Sequence, residues 1–216
     1  MGERVITVIG MGPGELDYIT PIAWSKAKEA SILIGSDRLL DLFPNSKAKK
    51  ISISSKMRLV VDGLEEIKDE KVAVLVSGDP GLFSLLGMIK EKIDAEYIDV
   101  IPGISAAQIL FSKSLTSWDD VAFISLHGRV GKVDRLLKAA KKNRRLAVFN
   151  GPDFTADRIA ESLIAAGYEG IAVIGQQLSY GDETVEEMTL KELGERKGIE
   201  MAVILLNITD GRQMHG

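Results

Sequence analysis

The sequence predicts an α/β protein with two α/β domains, mostly parallel sheets and a cleft between the domains. Short runs rich in β-branched residues alternate along the chain with longer amphipathic runs. Several short runs, such as Val72–Val76, are continuously apolar, which is typical of strands that helices cover on both faces. A length of 216 residues suits two units of this kind.

The first domain is expected to span residues 1–114. Thr20 predicts an N-cap, followed by Pro21 at the first position of a helix. The predicted strands of this domain are Arg4–Ile9, Ser31–Ile34, Lys50–Ile53, Val72–Ser77 and Tyr97–Ile101. The predicted helices are Pro21–Ala30, Arg58–Lys68, Leu82–Lys92 and Ile104–Phe111.

The second domain is expected to span residues 120–208, after the polar segment Lys113–Asp120, with residues 209–216 as a tail. Its predicted strands are Val121–Leu126, Arg145–Phe149, Ile171–Ile174, Thr184–Met188 and Ala202–Leu206. Its predicted helices are Lys132–Lys142, Thr155–Ala166 and Leu190–Arg196.

The composition excludes several kinds of chemistry. The chain has no cysteine, which rules out disulfides, thiolate metal sites and cysteine nucleophiles. Its only histidines are His127 and His215, which argues against a metal site with several histidine ligands, and we expect no metal. A net charge of −4 argues against nucleic-acid binding, and the longest apolar runs are too short to span a membrane. We therefore expect a soluble, cytoplasmic protein.

Three glycine-containing motifs each follow a predicted strand. They are Gly10-Met11-Gly12-Pro13-Gly14, Ser77-Gly78-Asp79-Pro80-Gly81 and Ile101-Pro102-Gly103-Ile104-Ser105. The carboxyl ends of parallel strands are where open α/β sheets bind ligands. Tight turns without a ligand are the alternative, and Asp79 either binds a ligand or caps the next helix. Glu15 stands where a dinucleotide fingerprint needs its third glycine, which disfavours that class.

A fourth motif, Ser125-Leu126-His127-Gly128-Arg129, follows the first strand of the second half. A histidine at a strand end is either structural or functional. The stretch from Arg129 to Arg145 then holds eight basic residues and one acidic residue. This stretch is either a solvated helix face or a basic rim for a polyanionic small molecule.

The three glycine motifs, in this order and at this spacing, resemble the tetrapyrrole (corrin/porphyrin) methyltransferase family. Within that family, the Ser-Leu-His-Gly-Arg motif, Gly81–Ser84 and Leu33–Leu40 look like the cobalt-precorrin-7 C5-methyltransferase branch of cobalamin biosynthesis. The resemblance implies a class III methyltransferase fold, S-adenosylmethionine as methyl donor and a homodimer. It implies C5 methylation of a polycarboxylate tetrapyrrole (cobalt-precorrin-7 or precorrin-6Y), with C15 methylation and decarboxylation left to a separate polypeptide.

Carried over onto this sequence, the resemblance implies donor contacts at Pro13, Gly78, Asp79, Pro80, Leu82, Ser105, Ala106, Leu126, Asn150 and Gln177. The substrate carboxylates would meet Arg38, Arg129 and Lys132. Methyl transfer from a sulfonium depends mainly on alignment, so it suits a chain without cysteine. A base that removes a proton afterwards would be His127 or, second, Asp79.

Other acceptors remain open, because the same fold serves diphthine synthase, uroporphyrinogen III methylase and enzymes that methylate ribosomal RNA. A non-catalytic corrinoid-binding subunit is the alternative from a different functional class.

Overall fold

The structure is a computed structural model that describes residues 6–53, 57–67, 70–128 and 130–211. The chain divides into two compact units, one ending at Ala106 and one beginning at Ala107. Each unit contains one five-stranded sheet. Helices flank both sheets, so the α/β class predicted from the sequence is confirmed.

The sheet of the first unit is parallel throughout, in the order β3-β2-β4-β1-β5. Both neighbours of β1, which are β4 and β5, run in its direction. The continuously apolar run of β4 is buried along its whole length, as its pattern predicts. The strands are β1 (Ile6–Gly10), β2 (Ile32–Gly35), β3 (Lys49–Ser52), β4 (Val72–Val76) and β5 (Ile98–Ile101).

Two apolar clusters, one around Ile9, Ala23 and Leu75 and one around Val8, Val74 and Ile89, form the core of this unit. The Thr20 hydroxyl accepts a hydrogen bond from the N–H of Ala23 at 3.3 Å, which confirms the predicted N-cap. The helices are α1 (Pro21–Glu29), α2 (Asp37–Leu40), α3 (Met57–Asp62) and α4 (Leu86–Lys90). Short 3₁₀ turns lie at Leu16–Tyr18, Leu64–Ile67 and Ala95–Tyr97.

The sheet of the second unit is mixed, in the order β6-β7-β10-β8-β9. Only β6 and β7 are paired in parallel, and the other three pairs are antiparallel. The expectation of mostly parallel strands thus holds for the first sheet and not for the second. The elements are β6 (Ala122–Ser125), β7 (Arg145–Phe149), β8 (Tyr168–Gln176), β9 (Thr184–Thr189), β10 (Ala202–Asp210), α5 (Ala106–Lys113), α6 (Lys132–Lys142), α7 (Ala156–Ala165) and α8 (Leu190–Glu195).

Some element lengths differ from the sequence-based expectation. Strands β8 and β10 pair along their whole length, with Tyr168 opposite Asp210 at one end and Gln176 opposite Ala202 at the other. Strand β10 therefore continues four residues beyond the predicted end at Leu206. The helix predicted from Leu82 begins only at Leu86, because residues 77–85 form a loop that the Asp79 carboxylate holds. Helix α3 ends at Asp62, and a 3₁₀ turn follows it.

Candidate functional site

Three loops lie together at the carboxyl edge of the first sheet. Strand β1 lies between β4 and β5, and all three are parallel, so the loops that follow them share one edge. These loops, residues 10–14, 77–81 and 102–105, are called the carboxyl-edge loops below. Apart from Ile101, which ends β5, they contain the three motifs singled out in the sequence.

The carboxyl-edge loops touch through their main chains. A Cβ atom added at Gly10 would lie 2.6 Å from both the nitrogen of Gly103 and the carbonyl oxygen of Gly78. A Cβ atom added at Gly103 would lie 2.7 Å from the carbonyl carbon of Gly10 and closer still to the oxygen of Gly78. Only glycine permits this approach, which buries Gly10 and leaves Gly78 and Gly103 half-exposed.

Hydrogen bonds extend the pairing of β1 and β4 into their loops. The N–H of Met11 donates to the oxygen of Val76 at 2.9 Å, and the N–H of Gly78 donates to the oxygen of Gly12 at 2.8 Å. Gly78 adopts a φ of +69°, which residues with a side chain rarely adopt. Pro13, half-buried, follows directly on this bridge.

Asp79 links two of the carboxyl-edge loops. Its Oδ1 accepts a hydrogen bond from the N–H of Gly81 at 2.8 Å, and its Oδ2 accepts one from the N–H of Gly103 at 3.2 Å. Helix α4 begins seven residues later, at Leu86, so Asp79 does not cap it, and that alternative was wrong. A carboxylate has about four acceptor sites, so two bonds leave acceptor capacity for a ligand.

The other residues predicted for the first unit lie nearby. Ser105 is buried, and a Cβ atom at Gly78 would lie 3.6 Å from its Cα. Ala106 is the first residue of α5. Pro80 is buried and Leu82 half-buried in the loop after β4.

Arg38 reaches the same edge from the neighbouring strand. It lies in α2, directly after β2, and its Nη2 donates to the Oγ of Ser77 at 2.8 Å. Phe83 belongs to the Gly81–Ser84 motif but was not predicted as a site residue. It lies in the loop after β4 with a φ of +54° and a 38% exposed side chain. Backbone strain of this kind is concentrated at functional sites.

Three loops also share one edge of the second sheet. Because β10 is antiparallel to both β7 and β8, strands β6, β7 and β8 run in one direction. The residues that follow these strands are Leu126, Asn150 and Gln177. Leu126, Asn150 and Gln177 thus lie at one edge of the second sheet, and their proposed contacts with a donor stay a prediction.

The side chains of Leu126 and Asn150 are structural. Leu126 is fully buried in the core of the unit. Asn150 is buried, and its amide nitrogen donates to the oxygen of Ile199 at 2.8 Å, while its amide oxygen accepts from the N–H of Ala202 at 2.7 Å. Any ligand contact at these two positions would use the main chain. Gln177, by contrast, has an exposed side chain and a φ of +47°.

His127 is exposed at this edge, and its imidazole lies against Gly151, the second residue after β7. A Cβ atom added at Gly151 would lie 3.0 Å from the Cγ of His127. Lys132 forms an ion pair with Asp153. The hydrogen bond from Lys132 holds the pKa of Asp153 below its usual value, and the nearby His127 acts in the same direction. Arg129, predicted to bind substrate, lies outside the described residues.

Two absences are limited to the described part of the chain. No group of three or more histidine, aspartate or glutamate residues within it could hold a metal ion. Among its helices, none combines the length and the apolar character needed to cross a bilayer.

Comparisons with known proteins find similar sequences in one family. The family model described as Tetrapyrrole (Corrin/Porphyrin) Methylases matches residues 5–194. A protein of Methanocaldococcus jannaschii named "Probable cobalt-precorrin-7 C(5)-methyltransferase" is 32% identical over 195 residues, which cover 88% of this chain and 91% of that protein. The cobalt-precorrin-7 C(5)-methyltransferase of Salmonella typhimurium is 26% identical over 93% of this chain and 98% of its own.

Solved structures share the fold. The methyltransferase CobJ superposes with a TM-score of 0.78 at 21% identity, over 94% of this chain and 93% of its own. The uroporphyrin-III C-methyl transferase of Thermus thermophilus, solved with S-adenosylhomocysteine, gives a TM-score of 0.72 at 19% identity, over 95% and 92% of the two chains. At these identities the likeness concerns the fold alone.

Proposed function

Because the chain belongs to the family of tetrapyrrole (corrin/porphyrin) methylases, we propose that it methylates C5 of a corrin precursor in cobalamin biosynthesis. The substrate would be cobalt-precorrin-7 or precorrin-6Y. The observation that carries the choice of C5 is the 32% identity with a relative named for this activity, over 91% of that relative's length. A matching name at 26% identity over 98% of the Salmonella protein supports the same choice.

The methyl donor in this proposal is S-adenosylmethionine, whose sulfonium supplies an activated methyl group. The fold neighbour solved with S-adenosylhomocysteine supports this assignment. The carboxyl-edge loops fit such a ligand, since the half-exposed Gly78 and Gly103 present peptide groups that no side chain of their own covers. Asp79 fixes two of the loops and keeps acceptor sites that suit donor hydroxyl groups. The protein's contribution is to align the donor with the acceptor carbon and to exclude water.

The acceptor carries many carboxylates, for which we propose Arg38 as a primary partner. Ser77 orients the guanidinium at the edge that holds the donor loops, and its remaining N–H groups suit bidentate contacts with a carboxylate. Lys132 is a weaker candidate than the sequence predicted, because Asp153 already pairs with it.

We propose His127, rather than Asp79, as the group that accepts a proton released after methyl transfer. The His127 side chain is exposed, whereas both oxygens of Asp79 already accept main-chain hydrogen bonds. The His127→Ala variant should lose kcat while its affinity for S-adenosylhomocysteine stays unchanged.

Calorimetry with S-adenosylhomocysteine, followed by methylation assays, tests the proposal. We expect binding, and transfer of an isotope-labelled methyl group to the corrin precursor. Absence of binding at about 1 mM ligand, where even a binding free energy near −4 kcal/mol is detectable, would refute the donor assignment. Binding with methylation of uroporphyrinogen III or a diphthamide precursor instead would refute the choice of C5. Binding of the corrin without turnover would favour a non-catalytic subunit.

Homodimer formation and a separate C15-methylating partner are further parts of the proposal. Sedimentation velocity tests the first. The second predicts that mass spectrometry of the product shows one added methyl group and an intact carboxylate.

A further inference from the structure

The loop between β8 and β9, residues 177–183, is strained. Gln177 and Ser179 adopt φ values of +47° and +78°, in the left-handed region that side chains disfavour. Within the described parts of the chain, only Phe83 and Leu115 share this property among non-glycine residues. Two strained residues within three positions persist only where the surroundings hold them.

The geometry of the turn explains why Leu178 is buried while Gln177 is exposed. The N–H of Tyr180 donates to the oxygen of Gln177 at 2.9 Å, which closes a four-residue turn with Ser179 in its third position. Turns with a positive φ at that position usually carry glycine or asparagine there. The side chain of Leu178 is buried against Gly175, where an added Cβ atom would lie 2.8 Å from it. Leu178 therefore anchors the turn, and Gln177 lies exposed at the edge of the sheet.

Glu183 holds this turn from its far end. Its Oε2 accepts a hydrogen bond from the N–H of Ser179 at 2.8 Å, and its Oε1 lies 2.8 Å from the Nζ of Lys113, the last residue of α5. The hydrogen bonds from Lys113 and from the Ser179 N–H lower the pKa of Glu183, so the carboxylate stays charged. Lys113, Glu183 and the Ser179 N–H are called the Glu183 clasp below.

We infer that Glu183 is a positioning residue for the methyl donor, acting through the strained turn that presents Gln177. The inference rests on the proposed function and on the prediction, implied by the family resemblance, that Gln177 contacts the donor. In a loop that binds no ligand, backbone strain would only lower the stability of the fold. In a loop that binds a ligand, a turn already held in one conformation avoids the entropic cost of ordering the loop on binding. The clasp provides that hold with a charged hydrogen bond, which is stronger than a neutral one.

Variants of the clasp test the inference by calorimetry with S-adenosylhomocysteine and by steady-state kinetics. Glu183→Ala should weaken binding about 10- to 100-fold, the range expected when a hydrogen bond to a charged group is lost. Glu183→Gln should fall between Glu183→Ala and the wild type, because its amide oxygen still accepts from Ser179. The KM for the donor should rise while kcat at saturating donor changes little, since Glu183 touches no reacting atom.

A matched control separates this effect from the loss of any ion pair. Glu186 on β9 pairs with Arg196 at 2.9 Å, and both side chains are about half exposed. Glu186→Gln should leave donor affinity unchanged. Lys113→Met keeps Glu183 but removes its ion-pair partner, so it should also weaken the affinity for S-adenosylhomocysteine. This variant replaces the Glu183 variants in the test if those do not fold.

A double variant gives a result that loss of stability alone would not produce. Glycine adopts a φ of +78° without strain, so Ser179→Gly in the Glu183→Ala background should recover part of the lost affinity. If the wild type binds S-adenosylhomocysteine and the folded Glu183→Ala variant binds it with the same affinity, the inference is overturned and the proposed function stands. Absence of binding to the wild type would overturn both.

Discussion

Replacing Gly103 with alanine tests the main-chain contact on which the carboxyl-edge loops depend. The added methyl group would lie 2.7 Å and 2.8 Å from main-chain carbons of Gly10, and closer to the carbonyl oxygen of Gly78. All three atoms belong to main chains held by the parallel pairing of β1 with β4 or by loop hydrogen bonds, so no flexible side chain can move aside. Relief therefore requires the loops after β1, β4 and β5 to separate.

Overpacking of this kind costs about 1–3 kcal/mol. For a chain of this length, each kcal/mol lowers the melting temperature by about 2–4 °C, so we expect Gly103→Ala to melt about 2–12 °C below the wild type. Separation of the loops also stretches the bond from the Gly103 N–H to Asp79. Affinity for S-adenosylhomocysteine should therefore fall about tenfold or more, equivalent to about 1.4 kcal/mol.

Gly87→Ala is the matched control, because nothing lies within 4 Å of a Cβ atom at that helical position. Alanine should stabilise α4 by about 0.5–1 kcal/mol and raise the melting temperature by about 1–4 °C. Scanning calorimetry and titration calorimetry give both quantities for each variant. A Gly103→Ala protein that melts within about 1 °C of the wild type and binds equally well would refute the reasoning.

Three further outcomes are expected. Arg38→Gln should raise the KM for the corrin acceptor more than it weakens donor binding, and an unchanged KM would remove Arg38 from the substrate site. Asn150→Leu should lower the free energy of unfolding by about 1–3 kcal/mol in chemical denaturation, because the N–H of Ala202 loses its buried acceptor while the oxygen of Ile199 keeps only the N–H of Ala156 as a donor. A loss below about 0.5 kcal/mol would contradict this. The pKa of Glu183 is lower in the folded protein than its unfolded-state value of about 4.3, so the ionised carboxylate stabilises the fold. This contribution is complete above the unfolded-state pKa and is lost as the pH falls through the lower folded-state pKa. Urea titrations between about pH 6 and pH 3 should therefore show a decline in the free energy of unfolding that is smaller in Glu183→Gln.

The sequence predicts the positions of most elements because their local signals are strong. Thr20-Pro21 marks the start of α1, and the predicted bounds of α6 and β7 match the structure to the residue. The directions of the strands in the second sheet were not predictable in the same way. Continuous burial indicates a central strand, and Ala202–Leu206 is buried like β4, yet it pairs antiparallel with both neighbours.

The candidate site was predictable where chemistry depends on residues that follow strands. The rule that selected Gly78 and Asp79 applies equally to Gly151, which follows β7. Such a rule could not have selected Glu183, because its proposed role depends on the φ value of Ser179 and on its ion pair with Lys113, which is distant in the sequence. Whether Asp79 caps a helix or links two loops likewise depends on where α4 begins.

The central place of β10 has a consequence for the order of folding during synthesis. Strand β10 follows the other four strands of its sheet in the chain, yet it lies between β7 and β8 and pairs with both. At 5–20 residues per second, the ribosome needs about 3–10 s to pass from the end of β7 to the start of β10. During that interval β7, and β8 once it has been made, each expose an edge that has no partner, while all five strands of the first sheet have already been made. The second unit is therefore the part of the nascent chain for which we expect chaperone contact and aggregation.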